Sequence, residues 1–194
     1  MNEDGPVSER AGGDPGAAGQ PTGLPDVRMR AAGPDDAAAL LRLKQRLDRE
    51  TSFMLLEAGE RDASVPALAL ELESGARSGN SVVIVAEVDG ELAGYIELSG
   101  GQFRRNRATA HVVIGVVAAA GGRGIGAGLL RQARDWAVRH GLHRLELTVM
   151  AHNHRAADLY QRMGYSIEGR RAQCLLVDGR FVDELYMAAL LPDE

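Results

Sequence analysis

The chain has 194 residues, of which 45% are hydrophobic and only 4% are aromatic, a balance that suits one globular domain with an aliphatic core. Its formal net charge of −5 argues against binding nucleic acid by bulk electrostatics, because neutralising phosphates requires a clustered basic surface. The single cysteine, Cys174, excludes an internal disulfide and a cysteine-based zinc cluster, and no run of about 18 apolar residues is present to span a bilayer. We therefore expect a cytoplasmic protein that binds neither nucleic acid nor membranes.

Residues 1–25 differ in composition from the rest of the chain. Glycines and prolines are interleaved throughout this segment, and Val7 and Leu24 are its sizeable aliphatic residues. Such a segment buries too little apolar surface to offset the entropy cost of ordering it. We predict a disordered tail over 1–25 and a single domain over 26–194.

The domain is predicted to begin with a short strand and a helix. The segment VRMRAA, residues 27–32, has the composition of a strand, and Pro34 then suits the first turn of a helix. Leu40, Leu43 and Leu47 recur at helical spacing and mark the buried face of that helix.

A second helix is predicted from Ser64, which suits an N-cap, with Pro66 in its first turn and an end near Gly75. Between the two helices lies TSFMLLEAGERDA, residues 51–63. We expect its apolar residues to cover the core, and the alternative is that they line a pocket.

Strands dominate the middle of the chain. The runs 81–88 and 91–99 flank an Asp-Gly pair, which readily takes the positive φ values of a tight hairpin turn. A third strand, ATAHVVIGVV, covers 108–117. The remaining elements are a helix over 124–140, a strand over 143–149, a helix over 153–163, and a hairpin of 165–177 with 180–190. This order predicts an α/β fold with a central mixed sheet flanked by helices.

The segment GGRGIGAG, residues 121–128, joins a strand to an amphipathic helix. The first amides of a helix lack intrahelical partners and carry a partial positive charge, and glycines let phosphate oxygens approach the backbone. Arg123 adds a charge-assisted hydrogen bond. A P-loop is excluded because Lys44 is the only lysine, and the spacing departs from the dinucleotide pattern at Ala127. A plain tight turn is the remaining alternative.

A second stretch, residues 147–165, decides between these alternatives. Together with the glycine segment it resembles the GNAT superfamily of N-acetyltransferases, whose phosphate loop is Gln/Arg-x-x-Gly-x-Gly/Ala and whose later motif is Asn-x-x-Ala-x-x-Leu-Tyr-x-x-x-Gly-Phe/Tyr. The later motif is matched by Asn153, Ala156, Leu159, Tyr160, Gly164 and Tyr165. The loop is matched at Gly124 and Gly126 but has Gly121 where Gln or Arg is usual.

The resemblance implies a mostly antiparallel sheet in which two parallel middle strands, 108–117 and 143–149, splay apart to hold acetyl-CoA. In the family the pantetheine arm pairs with the end of the first of these strands, here the backbone of Ile114, Val116 and Val117. The pyrophosphate is expected at Gly122, Arg123, Gly124, Ile125, Gly126 and Ala127. Asn153 is expected to reach the cofactor or to act as the N-cap of its helix, and both roles are compatible.

The resemblance also assigns the chemistry. Tyr160 matches the family's tyrosine that faces the CoA sulfur, either as general acid or as hydrogen-bond donor. For the general base we place Glu97 first and His111 second. His152 and His154 lack the carboxylate or cysteine partners of a metal site, so no metal is expected. Glu168, Asp183 and Glu184 are candidates to attract a cationic amine.

We therefore expect an N-acetyltransferase that moves an acetyl group from acetyl-CoA to a primary amine by direct attack in a ternary complex. A small-molecule or peptide amine is the expected partner, and a homodimer is allowed because dimers are common in the family. The alternative is a noncatalytic CoA-binding or regulatory module with the same fold.

Overall fold

The computed structural model describes residues 27–192, so the tail predicted over 1–25 lies outside the described part of the chain. Within it, strands and helices follow the predicted order. The strands are β1 (Val27–Ala31), β2 (Val82–Val88), β3 (Glu91–Gly100), β4 (Thr109–Val116), β5 (Arg144–Met150), β6 (Ser166–Val177) and β7 (Arg180–Leu190). The helices are α1 (Ala37–Glu50), α2 (Val65–Ser78), α3 (Ile125–Arg139) and α4 (His154–Arg162). Short 3-10 turns precede α1 and α3.

Local sequence explains most helix ends. Pro34 lies in the 3-10 turn that leads into α1, and the Ser64 hydroxyl caps α2 by accepting a hydrogen bond from the amide of Ala67 at 3.2 Å. The predicted end of α2 near Gly75 is wrong by about one turn. The helix continues to Ser78, and Gly79, with φ of +75°, supplies the left-handed residue that terminates it.

The seven strands form one sheet in the order β1-β2-β3-β4-β5-β7-β6, and every neighbouring pair is antiparallel except β4 and β5. Both predicted Asp-Gly turns are present, with positive φ at Asp89 and Gly90 and at Asp178 and Gly179. The predicted mixed, mostly antiparallel sheet flanked by helices is therefore confirmed.

The helices lie on both faces of the sheet, as two consecutive residues of β3 show. Tyr95 and Gly94 point to opposite faces because side chains alternate along a strand. On the Tyr95 face, a Cβ at Gly115 would lie 2.6 Å from the Leu47 side chain of α1. On the Gly94 face, a Cβ at Gly94 would lie 3.3 Å from Leu129 of α3. We call these the α1 face and the α3 face.

The fourth helix belongs to the α3 face. A Cβ at Gly126 would lie 3.3 Å from Leu159 of α4, so α4 packs against the first turn of α3. This contact brings the two sequence motifs together, because the glycine turn begins α3 and the Asn153 motif begins α4.

Candidate active site

The parallel strands β4 and β5 separate shortly after they meet. Three residue pairs join them, and within the described residues the pairing stops there, although both strands continue. The pairs are Thr109 with Arg144, Ala110 with Leu145, and His111 with Glu146. A V-shaped gap therefore opens between the last half of β4 and the end of β5, as the resemblance implies.

The backbone of β4 presents unpaired groups to this gap. The amide of Val117 donates to the carbonyl of Ala93 at 2.9 Å, which shows that odd-numbered residues of β4 bond toward β3. Because the hydrogen-bonding direction alternates along a strand, Ile114 and Val116 direct their N–H and C=O groups toward β5 and hence into the gap. Val117 differs from the expectation, since its carbonyl also accepts a hydrogen bond, from the amide of Ala120. The geometry thus favours Ile114 and Val116 over Val117 for pairing with a pantetheine arm.

The glycine turn leaves an open cradle at the start of α3. Gly122 and Gly124 both take φ of +77°, a conformation that L side chains rarely adopt. Gly124 is the N-cap, and no side chain caps the helix. Cβ atoms at Gly122 and Gly124 would meet no atom within 4 Å, so both positions face open space. The uncapped amides, the helix dipole and this open space fit a phosphate group.

Gly121 departs from the family motif, and an arginine of α4 lies beside it. Its backbone is extended, with φ of −63°, so its conformation does not require glycine. A Cβ there would lie 3.4 Å from Nη2 of Arg155 in the first turn of α4. Arg155 is exposed and forms no ion pair or hydrogen bond with any other residue of 27–192. A guanidinium therefore lies against the phosphate cradle from α4, in addition to Arg123 within it.

Asn153 and Tyr160 occupy opposite ends of α4. The Asn153 side-chain oxygen accepts a hydrogen bond from the amide of Ala156 at 3.2 Å, so the N-cap role is confirmed. The amide nitrogen of the same side chain stays available as a donor. Tyr160 is buried, with its ring centroid 5.9 Å from that of Tyr165.

The hydroxyl of the buried residue Tyr160 is an unused donor. It forms no hydrogen bond with another residue of 27–192, and since every fully buried side-chain nitrogen or oxygen there has a partner, this oxygen keeps some exposure. Burial raises the pKa of Tyr160 to about 12, because the phenolate loses its hydration there. A neutral hydroxyl with an unused hydrogen suits a ligand that develops negative charge.

Glu97 lies on the α1 face, directly opposite Val113 of β4. Its Oε2 accepts a hydrogen bond from Nζ of Lys44 at 2.7 Å, and its Oε1 accepts a longer one from Ser99 at 3.3 Å. His111 projects from the same face, since it pairs with Ser99, and it is exposed. The structure thus places both proposed bases on the α1 face. Glu97 lies on β3, one strand away from the gap, and His111 lies on β4, at the edge of the gap.

An ion pair, distinct from Lys44–Glu97, attaches the loop between α1 and α2 to α1. Arg61 donates to both carboxylate oxygens of Asp48, at 2.7 and 2.8 Å, and the Asp48 side chain is only 2% exposed. At its other end the loop contacts the β5–α4 turn, where the rings of Phe53 and His152 lie 5.3 Å apart. These two contacts hold the loop across the α1 face next to Asn153.

This loop lines a cavity of about 290 Å³, so the expectation that its apolar residues cover the core is largely wrong. Leu55 is 73% exposed and Phe53 42% exposed, while Met54 packs partly against the core. The apolar lining of the cavity is Met54, Leu55, Leu56, Met150, Leu175 and Leu176. A cavity of about 450 Å³ beside the β2–β3 turn touches neither β5 nor the last hairpin. The smaller cavity is therefore the better candidate for an acyl acceptor.

The three carboxylates of the last hairpin are each paired with an arginine. Arg144 binds Glu168, Arg170 binds Asp183, and Arg171 binds Glu184 at 2.9 Å. Their charges are neutralised within the sheet, so the hypothesis that they attract a cationic amine loses its basis.

With the geometry established, comparison with known proteins identifies the family. The model of the acetyltransferase (GNAT) family matches residues 43–165, more than half of the chain. The chain belongs to the GNAT acetyltransferase family. Acetyl-CoA is the cosubstrate of this family, and the curated relatives that the chain matches are named N-acetyltransferases or acetyltransferases.

Individual GNAT relatives agree with this assignment. A GNAT-family acetyltransferase from Streptococcus pneumoniae is 30% identical, superposes with a TM-score of 0.83, and is covered completely by 86% of this chain. A Salmonella typhimurium acetyltransferase solved with acetyl-CoA has the same fold, with a TM-score of 0.78 at 23% identity over 87% of this chain and 96% of its own. The Escherichia coli L-amino acid N-acetyltransferase AaaT is 31% identical over 54% of this chain, and the match spans 65% of AaaT.

Sequence reasoning missed four charged residues around this GNAT site. Lys44, Asp48, Arg61 and Arg155 carry no family motif. A signal existed for two of them, because Lys44 and Asp48 lie four residues apart on the apolar stripe of α1 that Leu40 and Leu47 define. Charged residues on a buried stripe indicate partners elsewhere in the fold.

Proposed function

We propose that this protein transfers the acetyl group of acetyl-CoA to a primary amine by direct attack within a ternary complex. The observation that carries the proposal is the gap between β4 and β5. It has backbone groups of Ile114 and Val116 directed into it, a glycine cradle at the start of α3, and the hydroxyl of the buried residue Tyr160, which has no hydrogen-bond partner in residues 27–192.

Two sets of backbone groups and two arginines are suited to hold the cofactor. Ile114 and Val116 offer backbone hydrogen bonds to the pantetheine arm, as an added strand would receive. The amides from Gly122 to Ala127 suit the pyrophosphate, with Arg123 and Arg155 as nearby cations. Acetyl-CoA supplies the activated acetyl thioester when it is bound.

In the proposed reaction the amine lone pair forms a C–N bond to the acetyl carbon while the C–S bond breaks and the thiolate leaves. Tyr160 donates a hydrogen bond to the sulfur as negative charge develops there. Full proton transfer from a phenol of pKa about 12 to a thiolate of pKa about 8.5 is uphill by roughly 5 kcal/mol. Tyr160 therefore acts mainly as a hydrogen-bond donor, and the thiolate is protonated afterwards by solvent.

The proton of the attacking amine needs an acceptor, because an aliphatic ammonium is protonated at neutral pH. Glu97 is the proposed base, directly or through one water. It lies on the α1 face next to β4, and its partner Lys44 is one turn of α1 before Asp48, which lines the acceptor cavity. His111, exposed on the same face, is the second candidate.

The acceptor is proposed to bind in the cavity between the α1–α2 loop and the last hairpin. Its lining combines aliphatic and thioether side chains with Arg49, Glu57 and Asp178 at its edge. An amine with an apolar body and a polar end fits such a lining, and the L-amino acid named for AaaT has this character.

The test is a two-substrate kinetic analysis. Purified protein is incubated with acetyl-CoA and a panel of L-amino acids, polyamines and peptides, and released CoA thiol and acetylated product are both quantified. Direct attack predicts intersecting double-reciprocal lines and no acetylated enzyme by intact mass. Parallel lines with a mass gain of one acetyl group would contradict it. Acetyl-CoA binding without turnover on any amine would instead favour the noncatalytic module.

A further inference from the structure

The chain contains one lysine, and the fold buries it. Lys44 lies on the apolar stripe of α1 and is only 7% exposed. A buried ammonium requires a partner, because removing it from water without one costs several kcal/mol. Its partner is Glu97, whose Oε2 lies 2.7 Å from Nζ. The residue proposed as catalytic base is therefore bound to the sole lysine of the chain.

Packing of α1 fixes where this ammonium lies. Gly115 lets Leu47 approach β4 closely, which fixes the height of α1 above the sheet. One turn earlier, Nζ of Lys44 lies 5.0 Å from the ring centroid of Tyr95, within the range of a cation–π interaction. The ammonium is thus held between the Tyr95 ring and the Glu97 carboxylate.

The two oxygens of Glu97 have different surroundings as a result. Oε2 is occupied by the short bond to Lys44, whereas Oε1 has only the 3.3 Å contact with the Ser99 hydroxyl. The Glu97 side chain is 30% exposed, so solvent reaches it. Oε1 is therefore the oxygen that is left to receive a proton.

We propose that Lys44 is a positioning residue, which holds Oε2 of Glu97 and so leaves Oε1 to face the acyl acceptor. This inference rests on the proposed function, in which Glu97 accepts the amine proton. Lys44 itself does not touch the reacting atoms.

The other charged groups around Glu97 do not replace Lys44. Asp48 and Arg61 bind each other through two hydrogen bonds, so their charges largely cancel. Tyr95 on the same strand is buried and neutral, because burial strongly raises its pKa. On the β2 side Glu97 faces Val83, and on the β4 side it faces Val113, with the exposed His111 diagonally placed. Lys44 is the cation that contacts the carboxylate directly.

The experiment measures kcat and the KM for the amine in wild type and four variants. K44M removes the charge and keeps most of the stem, K44R restores a charge, and E97Q removes the base. R42M is the matched control, an exposed cation of the same helix. Without the ammonium the Glu97 carboxylate is no longer held in place, so K44M should lower kcat about tenfold at unchanged KM for the amine, and K44R should recover part of it. R42M should keep the wild-type kcat and KM.

A second readout does not depend on activity. With 15N-lysine labelling, the protein gives a single lysine ammonium signal, because Lys44 is the only lysine. The pairing predicts that E97Q shifts this signal and that R42M leaves it in place. The double variant K44M/E97Q should be more stable than K44M alone, since it leaves no unpaired carboxylate.

The outcomes separate this inference from the proposed function. A lower kcat at unchanged KM for the amine in K44M, with partial recovery in K44R, supports the positioning role. Wild-type kcat in K44M, together with impaired E97Q, overturns the role of Lys44 and keeps Glu97 as base. Wild-type kcat/KM in E97Q overturns both assignments, yet acetyl transfer measured in the same assay leaves the proposed function standing. If the Lys44 ammonium signal does not shift in E97Q, the pairing itself is overturned.

Discussion

The cofactor side and the acceptor side of this GNAT protein are built in different ways. The cofactor side, from β4 to α4, relies on backbone groups at Ile114, Val116 and the glycine turn, and its segments are contiguous in sequence. The acceptor side gathers side chains from α1 and the 51–63 loop and from the last hairpin, which lies more than 100 residues further along the chain. Backbone chemistry fixed by local sequence is a family property, whereas side chains assembled over long distances distinguish one member from another.

The largest expected effect is a loss of affinity for acetyl-CoA when Gly124 is substituted. G124V places a β-branched side chain at φ of +77° and into the cradle. We expect acetyl-CoA affinity to fall about 100-fold, as loss of two charge-assisted backbone hydrogen bonds implies, measured by calorimetry. G79V is the matched control, because Gly79 has nearly the same φ, +75°, at the end of α2. Equal loss of affinity in both variants would show that strain alone is responsible.

The next effect separates catalysis from binding. Y160F should lower kcat about 100-fold and leave the Kd for acetyl-CoA unchanged, because only the developing thiolate needs the donor. Since burial raises the pKa of Tyr160 to about 12, the hydroxyl stays protonated below about pH 10, and the kcat ratio should be flat over that range.

Y165F is the control for Y160F, since Tyr165 is a second buried tyrosine next to it. A Y160F enzyme with wild-type kcat would remove Tyr160 from the mechanism. A kcat ratio that changes steeply between pH 6 and 9 would contradict the donor role and favour full proton transfer.

A smaller effect tests whether Arg155, beside Gly121, contributes to acetyl-CoA binding. R155A should weaken acetyl-CoA binding about fivefold and flatten its salt dependence, because an exposed charge contact contributes about 1 kcal/mol. Binding of acetyl-pantetheine, which lacks the phosphates, should not change. R139A, at the other end of α3, is the matched loss of charge. If R155A weakens acetyl-CoA binding and adding G121Q to R155A does not restore it, then Gln at position 121 and Arg155 do not share one role.

The smallest effect concerns the last hairpin. D183N and E184Q should leave the KM for the amine unchanged, because Arg170 and Arg171 already neutralise these carboxylates. Stability should fall instead, measured as the thermal midpoint. For Asp183 the backbone amide of Gln173 and then Arg170 hold the pKa below its usual range, so this contribution exists at neutral pH and is lost on acidification. A raised KM in either variant would return the hairpin to the acceptor site.

The comparison also explains what the sequence could predict. The order of strands and helices along the chain, both Asp-Gly turns and the glycine turn before α3 follow from local signals, and the parallel pair β4–β5 follows from the family resemblance. The end of α2 was misplaced because Gly75 continues the helix and Gly79 ends it. The exposure of Leu55 and the Lys44–Glu97 pair depend on contacts across 50 or more residues, which no local pattern contains.

The most direct test of the cofactor site is a calorimetric titration of the purified protein with acetyl-CoA, with ATP and NAD as controls. We expect saturable one-site binding of acetyl-CoA alone, and stabilisation by about 2.7 kcal/mol when the ligand is at 100 times its Kd. Failure to bind acetyl-CoA, or equal binding of ATP or NAD, would show that the gap and its glycine cradle do not form the cofactor site that this chain's backbone describes.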